Sequence, residues 1–325
     1  MPTVLLVGAA GIMGRLIAQE AARRDLNLVL AGRHQDRLVD LAGTFGRGRA
    51  RALLLDVSAS AAVEAVISGT DLVLNTVGPF TRLAAPLIDA CLGAGVPYVD
   101  LANEIEAVLA LLGRDAEARR RSVTLVTGAG FGVVATEALA LLLARSTTEP
   151  MRTVRVAAAP AVAYASPGVQ VTVTEALARG SAQYVDGQLV RTPLGQGATV
   201  LEGLGGLRQV IPAPLGDLVA AQRATGARHV VAYAPVPAER SVADVSAQEV
   251  RSYAWAAGST GSGRSLEAHL TFGEGFRASA VIAVEVAVRV LAAPRPGAWM
   301  PGQLFGPELA LACGAVIGGQ QPCHA

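Results

Sequence analysis

Lysine is missing from this chain: apart from four histidines, every basic side chain is arginine. That absence removes whole classes of chemistry. A phosphate loop of the Walker type, a Schiff-base enzyme and the Tyr-x-x-x-Lys dyad of ordinary short-chain dehydrogenases each need a lysine amine. Cysteine is almost as scarce. Cys91, Cys313 and Cys323 form no spaced pair, which excludes a disulfide framework and a thiolate zinc site, and no metal is expected. Aromatic residues make up only 4% of the chain, so the walls of any pocket fall to Ala, Val and Leu. No apolar run reaches the ~18 uncharged residues of a membrane span. Glu137 interrupts the candidate near Val133–Ala144, and Glu285 with Arg289 interrupts the one after Val281. The first apolar stretch has no basic segment before it, so it reads as a strand and not as a signal peptide. The net charge is +1 with scattered arginines, which leaves no patch for a nucleic acid or a membrane surface. The expectation is a soluble, cytoplasmic protein.

What is present is an alternation. Strand signals fall at Val4–Val7, Leu28–Ala31, Ala52–Leu55, Leu72–Asn75, Tyr98–Leu101 and Val123–Val126. Helical patterns lie between them at Gly11–Arg24, Asp36–Gly43, Ser60–Ser68, Leu83–Gly93 and Ile105–Arg121, with Ser58 or Ser60 as a cap for the third. Strand and helix in turn imply a parallel sheet with helices on both faces, a doubly wound Rossmann domain over residues 1–127. After Gly128 the pattern changes. A helix at Val134–Arg145 leads to strands at Thr153–Ala158, Ala182–Val185, Leu189–Arg191, Arg208–Ile211, Arg228–Tyr233 and Ser265–Phe272. Asp186-Gly187 between two apolar pairs marks a hairpin. Residues 128–297 therefore read as an α+β domain on a mainly antiparallel sheet, with a helix at Ala278–Leu291. A last helix near Pro307–Ile317, within a segment 298–325, is expected to return to the first domain.

The first strand runs into Gly8-Ala9-Ala10-Gly11-Ile12-Met13-Gly14, a glycine turn opening a helix. Backbone N–H groups at such a turn, together with the positive end of the helix dipole, make a seat for a pyrophosphate. Gly8, Ala10, Gly11, Ile12, Met13 and Gly14 are thus assigned to a dinucleotide. At the end of the second strand an NAD-specific domain carries an Asp or Glu for the ribose hydroxyls. Here Gly32-Arg33-His34 stands there, with Arg37 one helical turn on. A small residue leaves room for a 2′-phosphate and a guanidinium pairs with it, so the expected cofactor is NADP(H). Asp56 and Val57, past the third strand, fall beside the adenine. Thr76-Val77-Gly78-Pro79-Phe80, after the fourth strand, falls beside the nicotinamide, because the carboxyl ends of these strands line the binding crevice.

Hydride transfer belongs to the cofactor, and the protein orients the substrate and moves a proton. Without lysine, the proton carriers are His, Tyr, Asp, Glu or water. Glu104 and Asp100 flank the end of the fifth strand on the crevice side. Tyr164 lies in an irregular second-domain segment, and His229 starts a second-domain strand. These four are the catalytic candidates. Three of them also have a plainer structural role: a helix cap for Asp100, a core aromatic for Tyr164, a structural histidine for His229. Tyr98, inside its strand, reads as core.

Asn75-Thr76-Val77-Gly78-Pro79-Phe80 and the stretch from Ala90 to Leu101 (ACLGAGVPYVDL) together resemble the saccharopine dehydrogenase-like family, including its short bacterial members and its trans-acting enoyl reductase relatives. Gly130-Phe131-Gly132, Thr225–Val230 and Gly273-Glu274-Gly275-Phe276 are similar to further family segments. The chain departs from the pattern at Ala102-Asn103-Glu104, where a Gly-Glu is usual, at Phe276, where tyrosine is expected, and at Ser279, where threonine is expected. The resemblance implies an oxidoreductase whose second, mixed-sheet domain covers the nicotinamide. The leading reading is an NADPH-dependent reductase of a C=N (imine) or activated C=C (enoyl) bond in a small, apolar metabolite, with homodimer assembly through the second-domain sheet. A non-catalytic NADP(H)-responsive binding protein and a redox-neutral cyclase or isomerase remain open beside it.

Overall fold

The computed structural model describes residues 1–46, 48–161, 178–236 and 250–318. Along the chain the strands are β1 (Thr3–Val7), β2 (Asn27–Gly32), β3 (Ala50–Leu54), β4 (Leu72–Asn75), β5 (Tyr98–Asp100), β6 (Thr124–Val126), β7 (Met151–Ala159), β8 (Ser181–Val185), β9 (Gln188–Thr192), β10 (Thr199–Leu201), β11 (Arg208–Pro212), β12 (His229–Pro235), β13 (Ser252–Thr260), β14 (Ser265–Phe272), β15 (Gly297–Trp299) and β16 (Val316–Gly318). Two compact units form. The first holds Met1–Ala102, Glu106–Gly130 and Ser279–Pro301; the second holds Asn103–Ile105, Phe131–Ala278 and Gly302–Ala325.

The first unit is built on a seven-stranded sheet in the order β15-β6-β5-β4-β1-β2-β3, parallel at every pairing. The strand order reverses between β1 and β4, and in open sheets of this kind the crevice at that reversal is where ligands bind. Buried on both faces, β1 and β4 carry continuous apolar runs. Their inward residues Leu5, Val7 and Val73 pack with Leu87, Cys91 and Tyr98 in one core cluster. The first helix, α1 (Ile12–Arg23), turns Gly14, Ile17, Ala18 and Ala21 inward.

In the second unit a sheet runs β10-β11-β12-β7-β13-β14-β16, with the β8–β9 hairpin attached to β12. Among the described residues only the β12–β7 pair of this sheet is parallel. The helices Phe131–Arg145 and Gly216–Thr225 pack on each other and on this sheet. The hairpin turns at Asp186-Gly187, both with positive φ, as the sequence reading expected.

Several expectations shift. The cap of the helix Ser60–Ile67 is Ala59, with no side-chain bond, because Ser58 is held by Asp56 instead. The expected helix Leu83–Gly93 is two pieces, Phe80–Leu83 and Ala85–Ala94. Ile105–Arg121 is likewise two, Ile105–Leu112 and Asp115–Arg120, parted at Gly113-Arg114. Strand β13 and the helix Gly216–Thr225 were not foreseen. Small residues make β13 a poor strand by propensity, yet its place between β7 and β14 demands them. A Cβ on Gly258 would stand 2.4 Å from the Thr153 carbonyl oxygen. The expected C-terminal helix Pro307–Ile317 is only Glu308–Ala312, followed by β16. The return to the first unit is made by β15, which pairs with β6, and by residues 279–301; after Pro301 the chain joins the second unit, where β16 pairs with β14.

Candidate functional site

The glycine turn follows β1 and closes against the end of β2. Gly8 and Ala9 both donate backbone N–H to the Ala31 carbonyl, at 2.9 and 3.1 Å. Gly8 has φ +84°, and a Cβ there would lie 2.5 Å from Thr76 Oγ1. Gly14 has no room for a side chain: its Cβ would lie 2.2 Å from the Gly8 carbonyl oxygen and 2.6 Å from Ala9 Cα. Close packing of helix on strand therefore depends on that glycine. Gly11 caps α1 with an extended backbone and no side-chain bond, so the N–H groups of Ile12, Met13 and Gly14 open the helix without an intrahelical acceptor. This is a cradle that a pyrophosphate fits. Arg15, not singled out in the sequence, is exposed there and bonds the Ala10 carbonyl through Nε at 3.1 Å.

At the end of β2, Arg33, His34 and Arg37 are all exposed and Gly32 is half-buried. His34 caps the helix Gln35–Gly43 through its backbone, with no side-chain bond. Asp56 is exposed and accepts from the Ser58 N–H (2.9 Å) and hydroxyl (2.7 Å). Those bonds, with the Arg33 charge near it, hold its carboxyl below the ordinary range. Val57, next along, is buried.

The turn after β4 is pinned to the end of β1. Thr76 donates its N–H and its hydroxyl to the Val7 carbonyl, at 3.0 and 2.8 Å, and Val77 N–H donates to Asn75 Oδ1. Gly78-Pro79 and Phe80 follow, with Val77 and Phe80 packed on the core. Behind this turn runs a buried polar chain. Asn75 Nδ2 donates to the Tyr98 hydroxyl (3.0 Å), which donates to Asp100 Oδ2 (3.0 Å). Asp100 Oδ1 accepts from Thr127 Oγ1 (2.7 Å), Ala102 N–H (3.0 Å) and Gly128 N–H (3.3 Å). Burial pushes the Asp100 carboxyl up to about 6 against the pull of these donors. Both its oxygens are engaged, so Asp100 ties the ends of β5 and β6 together. Tyr98 is buried core, as expected.

Glu104 lies in the short segment that belongs to the second unit. It is 5% exposed, its backbone bridges to Leu215, and its Oε2 accepts the Asn103 N–H at 3.1 Å. His229 is half-exposed, with Nε2 3.6 Å from Asp186 in the hairpin turn. It lines a shallow concavity on the sheet with Thr153, Arg155, Ser259 and Glu267, where Glu104 has no part. Tyr164 lies outside the described residues.

Two buried carboxylates were missed as site residues. Glu137 accepts the Gly302 N–H at 2.6 Å, and burial pushes its carboxyl up to about 8. Asp217 is 2% exposed, accepts the Thr136 hydroxyl at 3.0 Å, and is also raised by burial. A lone acid within an apolar helix, as at Glu137, is the signal that marks such a site. Among the described residues no group of three or more His, Cys, Asp or Glu stands where it would hold a metal. Nor is any helix among them long and apolar enough to cross a membrane.

Comparison with known proteins agrees with this geometry. Residues 4–126 match the model of the saccharopine dehydrogenase NADP binding domain. A trans-acting enoyl reductase of Mycobacterium ulcerans is 37% identical over 106 residues, 31% of this chain and 25% of that protein. One from Mycobacterium tuberculosis matches to the same extent. The matched segment thus spans a quarter of the relatives' length. An apo saccharopine dehydrogenase (L-Glu forming) from Saccharomyces cerevisiae shares the fold, with a TM-score of 0.66 over 98% of this chain and 100% of that one, at 12% identity.

Proposed function

We propose that this chain, whose residues 4–126 match the saccharopine dehydrogenase NADP binding domain, is an NADPH-dependent reductase of a C=N or activated C=C bond in a small, apolar metabolite. One observation carries the reading. At the carboxyl ends of the parallel strands a side-chain-free phosphate cradle stands with Arg33 and Arg37 exposed where an acidic residue would reject a 2′-phosphate. Gly8, Gly11 and Gly14 receive the pyrophosphate, and Ala10, Ile12 and Met13 complete the turn. Gly32, Arg33, His34 and Arg37 receive the 2′-phosphate. Asp56 and Val57 border the adenine, and Thr76 to Phe80 orient the nicotinamide. The bound cofactor supplies the hydride.

The chain's own part is to hold the acceptor and to deliver a proton. We assign that proton to Glu104. It is shielded from bulk water and held in one orientation by the Asn103 N–H. Its carboxyl gives the proton to the substrate atom that does not receive hydride and is left as a carboxylate. Asp100 has both oxygens engaged and serves as a support for the strand ends. The trans-acting enoyl reductases supply the precedent for a C=C acceptor, and we extend it to an imine acceptor. Homodimer assembly through the second-unit sheet, and residence in the cytoplasm, belong to the same proposal.

The test is to mix the protein with NADPH and a panel of cyclic imines and enones and to follow loss of reduced-nicotinamide absorbance. Turnover that falls about 10²-fold or more in Glu104→Gln, with NADPH affinity unchanged, is the expected result. Tight NADPH binding with no turnover across the panel overturns the reading in favour of a binding protein. Product without cofactor consumption overturns it in favour of a redox-neutral reaction. Sedimentation velocity reads the assembly.

A further inference from the structure

The turn after β4 has two anchors, and only one of them reaches β1. Thr76 is fixed by its N–H and its hydroxyl, both donated to the Val7 carbonyl. Val77 depends instead on the Asn75 side chain, whose Oδ1 accepts the Val77 N–H at 2.9 Å. Which way the Asn75 amide faces is decided deeper in the first unit. Asp100 Oδ1 is filled by the Thr127 hydroxyl and by the N–H groups of Ala102 and Gly128. Its Oδ2 is left to accept the single proton of the Tyr98 hydroxyl, at 3.0 Å. With that proton committed, the phenol oxygen can only accept, and it accepts from Asn75 Nδ2 at 3.0 Å. The amide nitrogen is thereby turned to Tyr98 and the amide oxygen to Val77.

Asn75, Tyr98 and Asp100 are all buried, so water does not stand in for a lost partner. The Tyr98 ring lies in an apolar cluster with Val73, Leu87 and Cys91, where phenylalanine would pack as well. A hydroxyl there costs desolvation unless it is partnered, and this one has a partner on each side. We propose that Asp100, Tyr98 and Asn75 form a directed hydrogen-bond chain that positions Val77 to Phe80 and, through them, the nicotinamide half of the cofactor. None of the three touches the reacting atoms. The proposal rests on the placement of this turn beside the nicotinamide.

Two readouts on the full chain test it. The first needs no cofactor: hydrogen exchange of the Thr76 and Val77 backbone amides, followed by NMR. In Tyr98→Phe the Asn75 amide loses the partner that orients it, and in Asn75→Ala the Val77 N–H loses its acceptor outright. Val77 should exchange about tenfold faster or more in both variants, while Thr76, on its separate anchor, keeps its native rate. The second readout compares NADPH with adenosine 2′,5′-bisphosphate, which lacks the nicotinamide half, by titration calorimetry. NADPH affinity should fall about tenfold in both variants and that of the bisphosphate should not change. A native Val77 rate in the folded variants overturns the positioning chain. So does equal quickening of Thr76 and Val77 with equal weakening of both ligands, since the chain then only supports the strand ends. A faster Val77 with undiminished NADPH affinity upholds the hold on the turn and overturns the placement of the nicotinamide beside it. Asn75→Ala, which breaks the last link, decides alone where Tyr98→Phe does not fold.

Discussion

Asp100 in the first unit and Glu137 in the second are both buried carboxyls with no cationic partner in contact among the described residues, and they are satisfied in opposite ways. Asp100 has donors on both oxygens: a phenol on one, and a hydroxyl and two backbone N–H groups on the other. Glu137 has backbone donors at Gly302 and Gln303, while its Oε1 is buried with no partner among the described residues. The outcome is about 6 for Asp100 and about 8 for Glu137, each raised by burial. Donors aimed at the charged form offset desolvation, and an oxygen left without one does not. So Asp100 is an anion at neutral pH and Glu137 is mainly the neutral acid.

The largest break in that contrast is Asp100→Ala. It strands the Tyr98 and Thr127 hydroxyls and the N–H groups of Ala102 and Gly128 in the interior. Unfolding in urea should show a loss of about 4 kcal/mol. The two tryptophans divide between the units, with Trp255 in the second and Trp299 in the first. In Trp255→Phe the remaining indole follows the first unit, where this loss should appear.

Next comes pH. The Glu137 pKa is raised on folding from 4.5 to about 8, so its contribution to stability is complete below 4.5 and is lost as pH rises to about 8. For Asp100 the corresponding window runs from 3.8 to about 6. Relative to Glu137→Gln, the native chain should lose on the order of a few kcal/mol across the Glu137 window. Single-indole fluorescence from Trp255 in Trp299→Phe checks it. Equal pH slopes in the two proteins would end the claim that burial outweighs the backbone donors and the Arg223 charge at Glu137.

How much of this was readable beforehand depends on the range of each interaction. The strand ends, the glycine turn and the place of Arg33 follow from local pattern, because a parallel strand followed by a tight turn and a helix is specified within a few residues. Tyr98 was read as core for the same reason. Glu137 entered only as a charge interrupting an apolar helix, since its acceptor role is met by Gly302, 165 positions away. Asn103 was noted as a departure from pattern, while its partner Gly216 lies 113 positions on, in a helix that Pro214 and Gly216 disguised as loop. Charge in an apolar setting could be seen in the sequence; which N–H groups would meet it could not.

The isosteres sharpen the comparison at smaller scale. In Asp100→Asn the amide nitrogen faces the Tyr98 hydroxyl, which already accepts from Asn75 and is left with a proton and no acceptor. A cost of about 2 kcal/mol is expected. In Glu137→Gln the carbonyl keeps the Gly302 N–H, and the new nitrogen occupies the side that had no donor to offend. Below pH 4.5, where native Glu137 is the neutral acid both folded and unfolded, the change should be under about 0.5 kcal/mol. At pH 7 Glu137→Gln should be the more stable by a few kcal/mol. Urea midpoints of the two variants at one pH decide it, and equal losses would remove the distinction between filled and unfilled oxygens.

Smallest of all is the exposed pair at the hairpin. Asp186 reaches both Arg228 (3.3 Å) and His229 (3.6 Å), but Asp186 and Arg228 are well exposed to solvent and His229 is half-exposed. Water screens such a pair and long side chains lose entropy in holding it, so Asp186→Ala should shift stability by no more than about 0.5 kcal/mol. Asp186 also holds a positive φ in the turn. Asp186→Asn, which removes the charge but tolerates that backbone, separates the two contributions. If the Asn variant matches the native chain while the Ala variant falls, the turn backbone and not the ion pair is what the aspartate supplies. His229 would then be oriented by β12 alone, and turnover in Asp186→Asn should equal that of the native chain if Glu104 is the acid. A turnover loss of tenfold or more in Asp186→Asn would instead draw His229 into the proton path proposed for Glu104.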